Sequence, residues 1–263
     1  MQVATAVMRT TPIRVAAGPL TQARPAAPVP IKTLCSTCHL KDVCLPCGLA
    51  GPDVQRLDAL MFSRRRVKEG QALYSEGDTF QFIYAVRSGT FKSSSTLRDG
   101  REQVTGFQMG GELLGLDGLA NGSYASSATA LEDAEVCAIP YAHLSESTAA
   151  KSELQHVVSR LMSREIVREH SLMMLLGSMN AEERLAAFLL NLSQRMRARG
   201  YSASDFHLRM SRAEIGSYLG MKLETVSRTF SSFQHQGLLA VDKKHVRITD
   251  LQGLTRAFEM CVQ

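Results

Sequence analysis

Four cysteines fall within one short stretch, Cys35, Cys38, Cys44 and Cys47, in the spacing C-x2-C-x5-C-x2-C. Soft thiolates this close together select zinc, Cu(I) or an iron–sulfur cluster. Structural zinc sites usually separate two ligand pairs by a longer arm, whereas this gap crowds all the ligands into one loop. Spacing alone leaves these metals open. The remaining cysteines, Cys137 and Cys261, lie far away. The N-terminus lacks a compact apolar stretch with a cleavage site, so the thiols are expected in a reducing, cytoplasmic setting.

A second chemistry is legible near the other end. A helix over about Leu223 to His235 can be laid on a wheel at about 100° per residue, with Val226 at zero. Phe230 and Phe233 then fall within about 40° of Val226 and form one apolar stripe. Glu224, Arg228 and Ser231 lie roughly opposite, and Ser227 sits on the shoulder. Such a face suits the DNA major groove: Arg spans guanine O6 and N7, Glu accepts from cytosine N4, and Ser approaches a thymine methyl without clash. Upstream, Ser211-Arg-Ala-Glu214 reads as a capping box opening a short helix with Ile215 and Leu219 inward, and Gly220 makes the turn. Downstream, Leu239 and Val241 alternate, Asp242-Lys243-Lys244 turns, and Val246 and Ile248 alternate again. Two short helices, a glycine turn and a basic hairpin form a winged helix-turn-helix.

The elements between must position these two sites. From Leu57 to Pro140 short apolar segments are cut by turn signals such as Gly77-Asp78, Ser88-Gly89, Asp99-Gly100 and Asn121-Gly122. That pattern predicts an all-β sandwich or roll. From Lys151 to about Met179 the spacing is helical, and Val158, Met162, Ile166, Glu169, Met173 and Leu176 recur at the steps of a coiled-coil seam. The helix either packs on its own domain's core or pairs with a second copy. Glu169 on the seam favours pairing, because two carboxylates across a dimer axis would repel in a partly desolvated place and make a weak, switchable dimer. Asn180-Ala-Glu-Glu183 then opens a further helix to about Arg199.

Composition narrows the classes. The chain has 263 residues, 44% hydrophobic and 21% charged, enough for two domains with cores of their own and with no stretch able to span a membrane. Residues 1–30 hold five of the eight prolines and three arginines without an acid, the composition of a flexible tail. The net charge of +5 is concentrated at the two ends, and the basic C-terminal part is compatible with a nucleic-acid partner. No Gly-rich nucleotide loop and no nucleophile–base constellation stands out, so an enzyme is not expected.

The stretch from Ile31 to about Val262 resembles the FNR (fumarate and nitrate reduction regulator) branch of the cyclic AMP receptor protein superfamily. The matching text includes Cys35-Ser-Thr-Cys38-His-Leu-Lys-Asp-Val-Cys44, Tyr84-Ala-Val-Arg-Ser-Gly-Thr-Phe-Lys92, Cys137-Ala-Ile-Pro140, Asn180-Ala-Glu-Glu-Arg-Leu-Ala-Ala-Phe188 and Glu224-Thr-Val-Ser-Arg228. The resemblance implies an α+β chain: a cysteine-rich segment over 31–56, an N-terminal β-roll sensor domain over 57–150 resembling cyclic-nucleotide-binding domains, a dimerisation helix over 151–179 and a winged helix-turn-helix over 180–263. It also implies one oxygen-labile [4Fe–4S] cluster per subunit on Cys35, Cys38, Cys44 and Cys137, whose loss loosens the homodimer and releases DNA. Cys47 has no counterpart in the best-known members and is the alternative fourth ligand; His39 and Cys261 match no ligand pattern and read as structural.

The same resemblance implies that Glu224, Ser227 and Arg228, with Ser231 beside them, read the TTGAT and ATCAA halves of a palindrome. More weakly, Ser88 and the loop around Gly100 resemble surfaces that touch RNA polymerase. Cyclic nucleotide is not expected, because Gly122-Ser-Tyr-Ala-Ser-Ser-Ala128 lacks the Arg that would pair with a cyclic phosphate. A thiol/disulfide or zinc-dependent regulator of the same superfamily is the competing expectation.

Overall fold

The structure, a computed structural model, describes residues 34–49, 51–59, 62–142 and 151–259. The tail over residues 1–30, Cys261 and the side chain of Val158 lie outside the described residues.

A turn-rich loop carries Cys35 to Cys47 and leads into a helix, α1 (Gly51–Ala59). Eight strands follow: β1 (Ser63–Val67), β2 (Ala72–Tyr74), β3 (Phe82–Ser88), β4 (Thr90–Thr96), β5 (Glu102–Met109), β6 (Leu113–Leu114), β7 (Ser127–Ala130) and β8 (Ala134–Pro140). They form two antiparallel sheets, in the orders β1-β8-β3-β6 and β2-β7-β4-β5, which enclose Val86, Phe91, Ala128 and Val136 as a roll. The turns that the glycines announced are real. Gly77, Gly89 and Gly100 all take positive φ, and a Cβ on Gly89 would stand 2.6 Å from that of Ala134, so only glycine fits there.

A 28-residue helix, α2 (Lys151–Ser178), leaves the roll. It is followed by α3 (Ala181–Ala198), capped as expected: the Asn180 side chain accepts from the Glu182 and Glu183 amides, and Glu183 reaches back to the Asn180 N–H. Next come β9 (Asp205–His207), α4 (Arg212–Leu219), α5 (Leu223–His235), β10 (Leu239–Asp242), β11 (His245–Ile248) and α6 (Leu251–Glu259). The hairpin of β10 and β11 gains β9 as a third strand against β11, an addition with no periodic signal in its three residues.

The roll keeps a core of its own, and β5 carries a face of the roll into the C-terminal core. The last four residues of that strand are all buried: its edge pairs with β4, and the face carrying Phe107 and Met109 is covered by the C-terminal helices. Val104, Phe107 and Met109 share one apolar cluster with Leu185, Phe188, Ile215 and Phe233. Phe107 stands edge-on to Phe188 at 6.2 Å and tilted to Tyr218 at 5.3 Å. Phe107→Ala is expected to cost about 3–5 kcal/mol in urea unfolding, the usual loss for an emptied aromatic core site. Because both parts lean on this ring, their transitions should fall together.

Candidate sensor and DNA-binding sites

Cys35, Cys38 and Cys44 come from the loop and Cys137 from β8, where it pairs in register with Ala85 of β3 and Arg64 of β1. These four thiols line one small cavity walled by Leu40, Leu45, Phe62, Val86 and Ile139. Cys47 is absent from that lining; its sulfur instead lies 3.7 Å from the Arg164 guanidinium of α2. The loop is pinned from behind, since Asp58 on α1 accepts from the amides of Cys35 at 2.5 Å and Ser36 at 3.1 Å. It is also pressed from the roll: Gly111 takes φ +88 and faces Val43 so closely that a Cβ would stand 2.7 Å from its methyl.

Burial pushes the Cys35 thiol up to about 12, reinforced by Cys44 and Cys137. Cys44 is likewise pushed up to about 12 by burial and by Cys137 and Cys38, against a backbone hydrogen bond that lowers it. Cys137 is raised by burial, with Arg87 opposing and Cys38 adding to the rise. Cys35, Cys44 and Cys137 in this apolar wall resist ionising alone, and thiols ionise readily beside metal cations, so the donor set suits a bound metal group. Among the described residues no group of three His, Cys, Asp or Glu side chains is arranged to hold a single metal ion.

The second site is built on α5. Val226, Phe230 and Phe233 are buried, while Glu224, Ser227, Arg228 and Ser231 are exposed on the opposite face. Ser211 and Glu214 form the expected capping box of α4, and Gly220 ends that helix at φ +61. Sequence reasoning missed Arg212, whose guanidinium carbon lies 3.2 Å from the centre of the Phe230 ring and braces α5 from behind. Burial lowers its pKa to about 10. In the wing, Lys243 turns the hairpin at φ 56, Lys244 is exposed beside it, and Arg247 pairs with Asp205 at 2.9 Å.

Between the two sites runs an ionic junction that the pattern did not announce. Glu112 receives Arg195 at 2.5 and 2.9 Å and Arg199 at 2.6 Å, both from α3. Burial alone would raise the Glu112 carboxyl, but Arg195, Arg168 and Arg199 hold it below the usual carboxylate range. Lys92 bridges Glu102 and Glu214, and Ser217 on α4 bonds Gln103 and the Val104 amide. On α2, Met162, Ile166, Glu169 and Met173 are exposed and Leu176 is half-buried. The first four also border a cavity of about 540 Å³ against the roll, lined further by Tyr74, Gln108 and Asp117. Ser88 and Gly100 are exposed at the ends of turns.

Residues 64–151 match the family described as cyclic nucleotide-binding domain, and residues 183–257 match the Crp-like helix-turn-helix domain. The chain is 40% identical over 220 residues to the fumarate and nitrate reduction regulatory protein of Salmonella typhimurium, covering 84% of this chain and 88% of that protein. This chain belongs to the FNR branch of the CRP/FNR superfamily. A transcriptional regulatory protein of Bordetella pertussis, btr, is similar to this FNR-type chain at 48% identity, over 84% of it and 91% of the relative. The transcriptional activator protein anr of Pseudomonas aeruginosa is 46% identical, over 82% and 88% of the two chains. Among solved structures, FixK2 from Bradyrhizobium japonicum overlays with a TM-score of 0.69 at 28% identity, covering 75% of this chain and 98% of that one. This FNR-type chain is therefore a transcription regulator with a β-roll and a Crp-like DNA-binding domain. Among the described residues no helix is long and apolar enough to cross a membrane.

Proposed function

We propose that the chain is an oxygen-responsive global transcription regulator of the cytoplasm that binds TTGAT-N4-ATCAA-like promoter sites as a homodimer under anaerobic conditions. One observation carries this reading: Cys35, Cys38, Cys44 and Cys137 converge on one cavity from two separate parts of the chain, and Cys47 does not join them. In this reading those four residues hold one [4Fe–4S] cluster per subunit. When bound, that group supplies oxygen lability. Cys137 ties the loop to the roll, Asp58 orients the Cys35 end, and Gly111 sets how close the loop can approach. The units are assigned as 31–56 for the loop, 57–150 for the sensor roll, 151–179 for the dimer helix and 180–263 for DNA binding.

Glu224, Ser227, Arg228 and Ser231 are assigned to base contacts, and Lys243 and Lys244 to phosphate. RNA polymerase would meet the surface that includes Ser88 and Gly100. The large cavity under α2 is lined by Asp117, Glu165 and Glu169 and by no Lys or Arg, a sign of charge that supports the absence of a cyclic nucleotide. A regulator rather than an enzyme is supported by the same DNA-binding family match.

The test is an anaerobic absorption spectrum with iron and sulfide assays, followed by air and a DNA-binding titration on the same sample. A visible band that bleaches in air, with binding lost alongside it, is the expected result. One zinc per colourless chain would transfer the reading to a zinc or thiol switch.

Glu169 gives a separate prediction. Burial and then Glu165 raise its carboxyl pKa, with Arg168 opposing, and a second Glu169 across the seam would raise it further. The ionised form is thus disfavoured in the dimer, which should tighten as pH falls through the Glu169 pKa and loosen as pH rises through it. Glu169→Ala is expected to tighten the dimer roughly two- to fivefold near neutral pH and to flatten that pH dependence. Sedimentation velocity on iron-loaded protein measures both.

A further inference from the structure

The outlying cysteine of the loop and two arginines of α2 meet in a contact that neither the ligand set nor the dimer seam uses. Arg160 Nη1 donates to the carbonyls of Cys47 at 3.3 Å and Gly48 at 3.4 Å, and Arg164 Nη2 lies 3.7 Å from Cys47 Sγ. The two arginines are one helical turn apart and so share a face. With Ile166 at zero on a wheel of about 100° per residue, both lie more than about 100° away, whereas Met162, Glu169 and Met173 fall within about 60° of it. The loop therefore grips the back of α2 and leaves the seam uncovered.

The grip is shaped for its place. Gly48 takes φ +75, where a side chain is strained, and a Cβ there would stand 2.7 Å from Arg160 Nη1 and push the guanidinium out of its contact. It is also wired to the cavity: the Cys47 amide donates to the Cys44 carbonyl at 2.9 Å, which makes one tight turn of a cavity-lining thiol and the docking residue. Any rearrangement of the Cys44 backbone must displace the carbonyls that Arg160 holds. Further along, Arg168 donates to the Phe107 carbonyl at 3.2 Å, so the next turn of α2 is fixed to the roll independently of the loop.

We propose that Arg160 and Arg164 are positioning residues that couple the cysteine loop to the dimerisation helix, and that Cys47 is their docking residue and not a cluster ligand. This rests on the proposed function, in which the loop senses and α2 pairs. The coupling sets the line of the N-terminal half of α2, where Met162 and Ile166 lie, and so the fit of that half against a second copy.

The experiment uses full-length protein prepared anaerobically, with iron and sulfide content, the visible spectrum and sedimentation velocity read on each sample. The double variant Arg160→Ala/Arg164→Ala should keep wild-type iron and spectrum while its dimer weakens by about tenfold, as the loss of charge-assisted hydrogen bonds requires. Gly48→Ala, which leaves both arginines in place, should weaken the dimer in the same direction by disturbing the contact from the loop side. Arg160→Lys/Arg164→Lys should restore part of the loss by returning donors and charge. Unchanged dimerisation in the double variant overturns the proposal, and so does a dimer lost only together with iron, which would make the arginines mere props of the loop. Wild-type protein that never carries iron removes the premise and the proposal with it, a failure visible before any substitution is made.

Discussion

Cys35→Ser, Cys38→Ser, Cys44→Ser or Cys137→Ser is expected to abolish iron and sulfide binding and, with it, anaerobic DNA binding, whereas Cys47→Ser keeps iron and sulfide and at most weakens DNA binding through its contact with α2. The exchange is nearly isosteric, so packing of the apolar wall around Leu40, Phe62 and Ile139 is conserved and the effect isolates ligation. A hydroxyl oxygen is a harder donor, its O–H is a far weaker acid than a thiol, and it does not replace a soft thiolate on iron. With one ligand gone the group would be held by three thiolates, and burial already opposes ionisation of Cys35, Cys44 and Cys137. Cys47 faces Arg164 and not the cavity, so its serine variant loses a contact to α2 but no ligand. Iron and sulfide assays beside the visible spectrum decide between the two groups of variants. Equal loss at Cys47 would move the fourth ligand from β8 into the loop.

Arg228→Ala is expected to cost about 1–3 kcal/mol of binding, concentrated at one base-pair position of the half-site. That is roughly five- to 150-fold, read by competition titration against sites altered one base pair at a time. Arg228 is exposed on α5, opposite the buried Val226, Phe230 and Phe233, and the brace of Arg212 on Phe230 keeps that face presented. Lys243→Ala or Lys244→Ala should instead weaken all sequences alike and reduce the salt dependence by about one ion each. Uniform weakening on removal of Arg228 would make it a phosphate contact.

The two sites differ in how they can be read. The recognition helix is a local object: Val226, Phe230 and Phe233 share a stripe because of the helical repeat, and Glu224 and Arg228 must then face outward whatever lies beneath. The capping boxes at Asn180 and Ser211 are equally local, since each closes over three residues. The cysteine site is not local. Cys35, Cys38 and Cys44 are visible as a run, but Cys137 joins them only because β8 pairs β1 and β3 in a register that turns it toward the loop.

Periodicity and turn chemistry thus determined, from sequence alone, the β-roll text, the extent of α2, the helix-turn-helix with its wing and the crowding of four thiols in one loop. Only the tertiary structure decided which thiols share the cavity, that Cys47 docks on Arg164, that Glu112 joins the roll to Arg195 and Arg199, and that β5 of the roll contributes to the C-terminal core. The physical reason is range. Helix faces, caps and turns are fixed by neighbours within about four residues, whereas these contacts close over distances along the chain that no local preference encodes, and they form only when packing of the whole places the partners together.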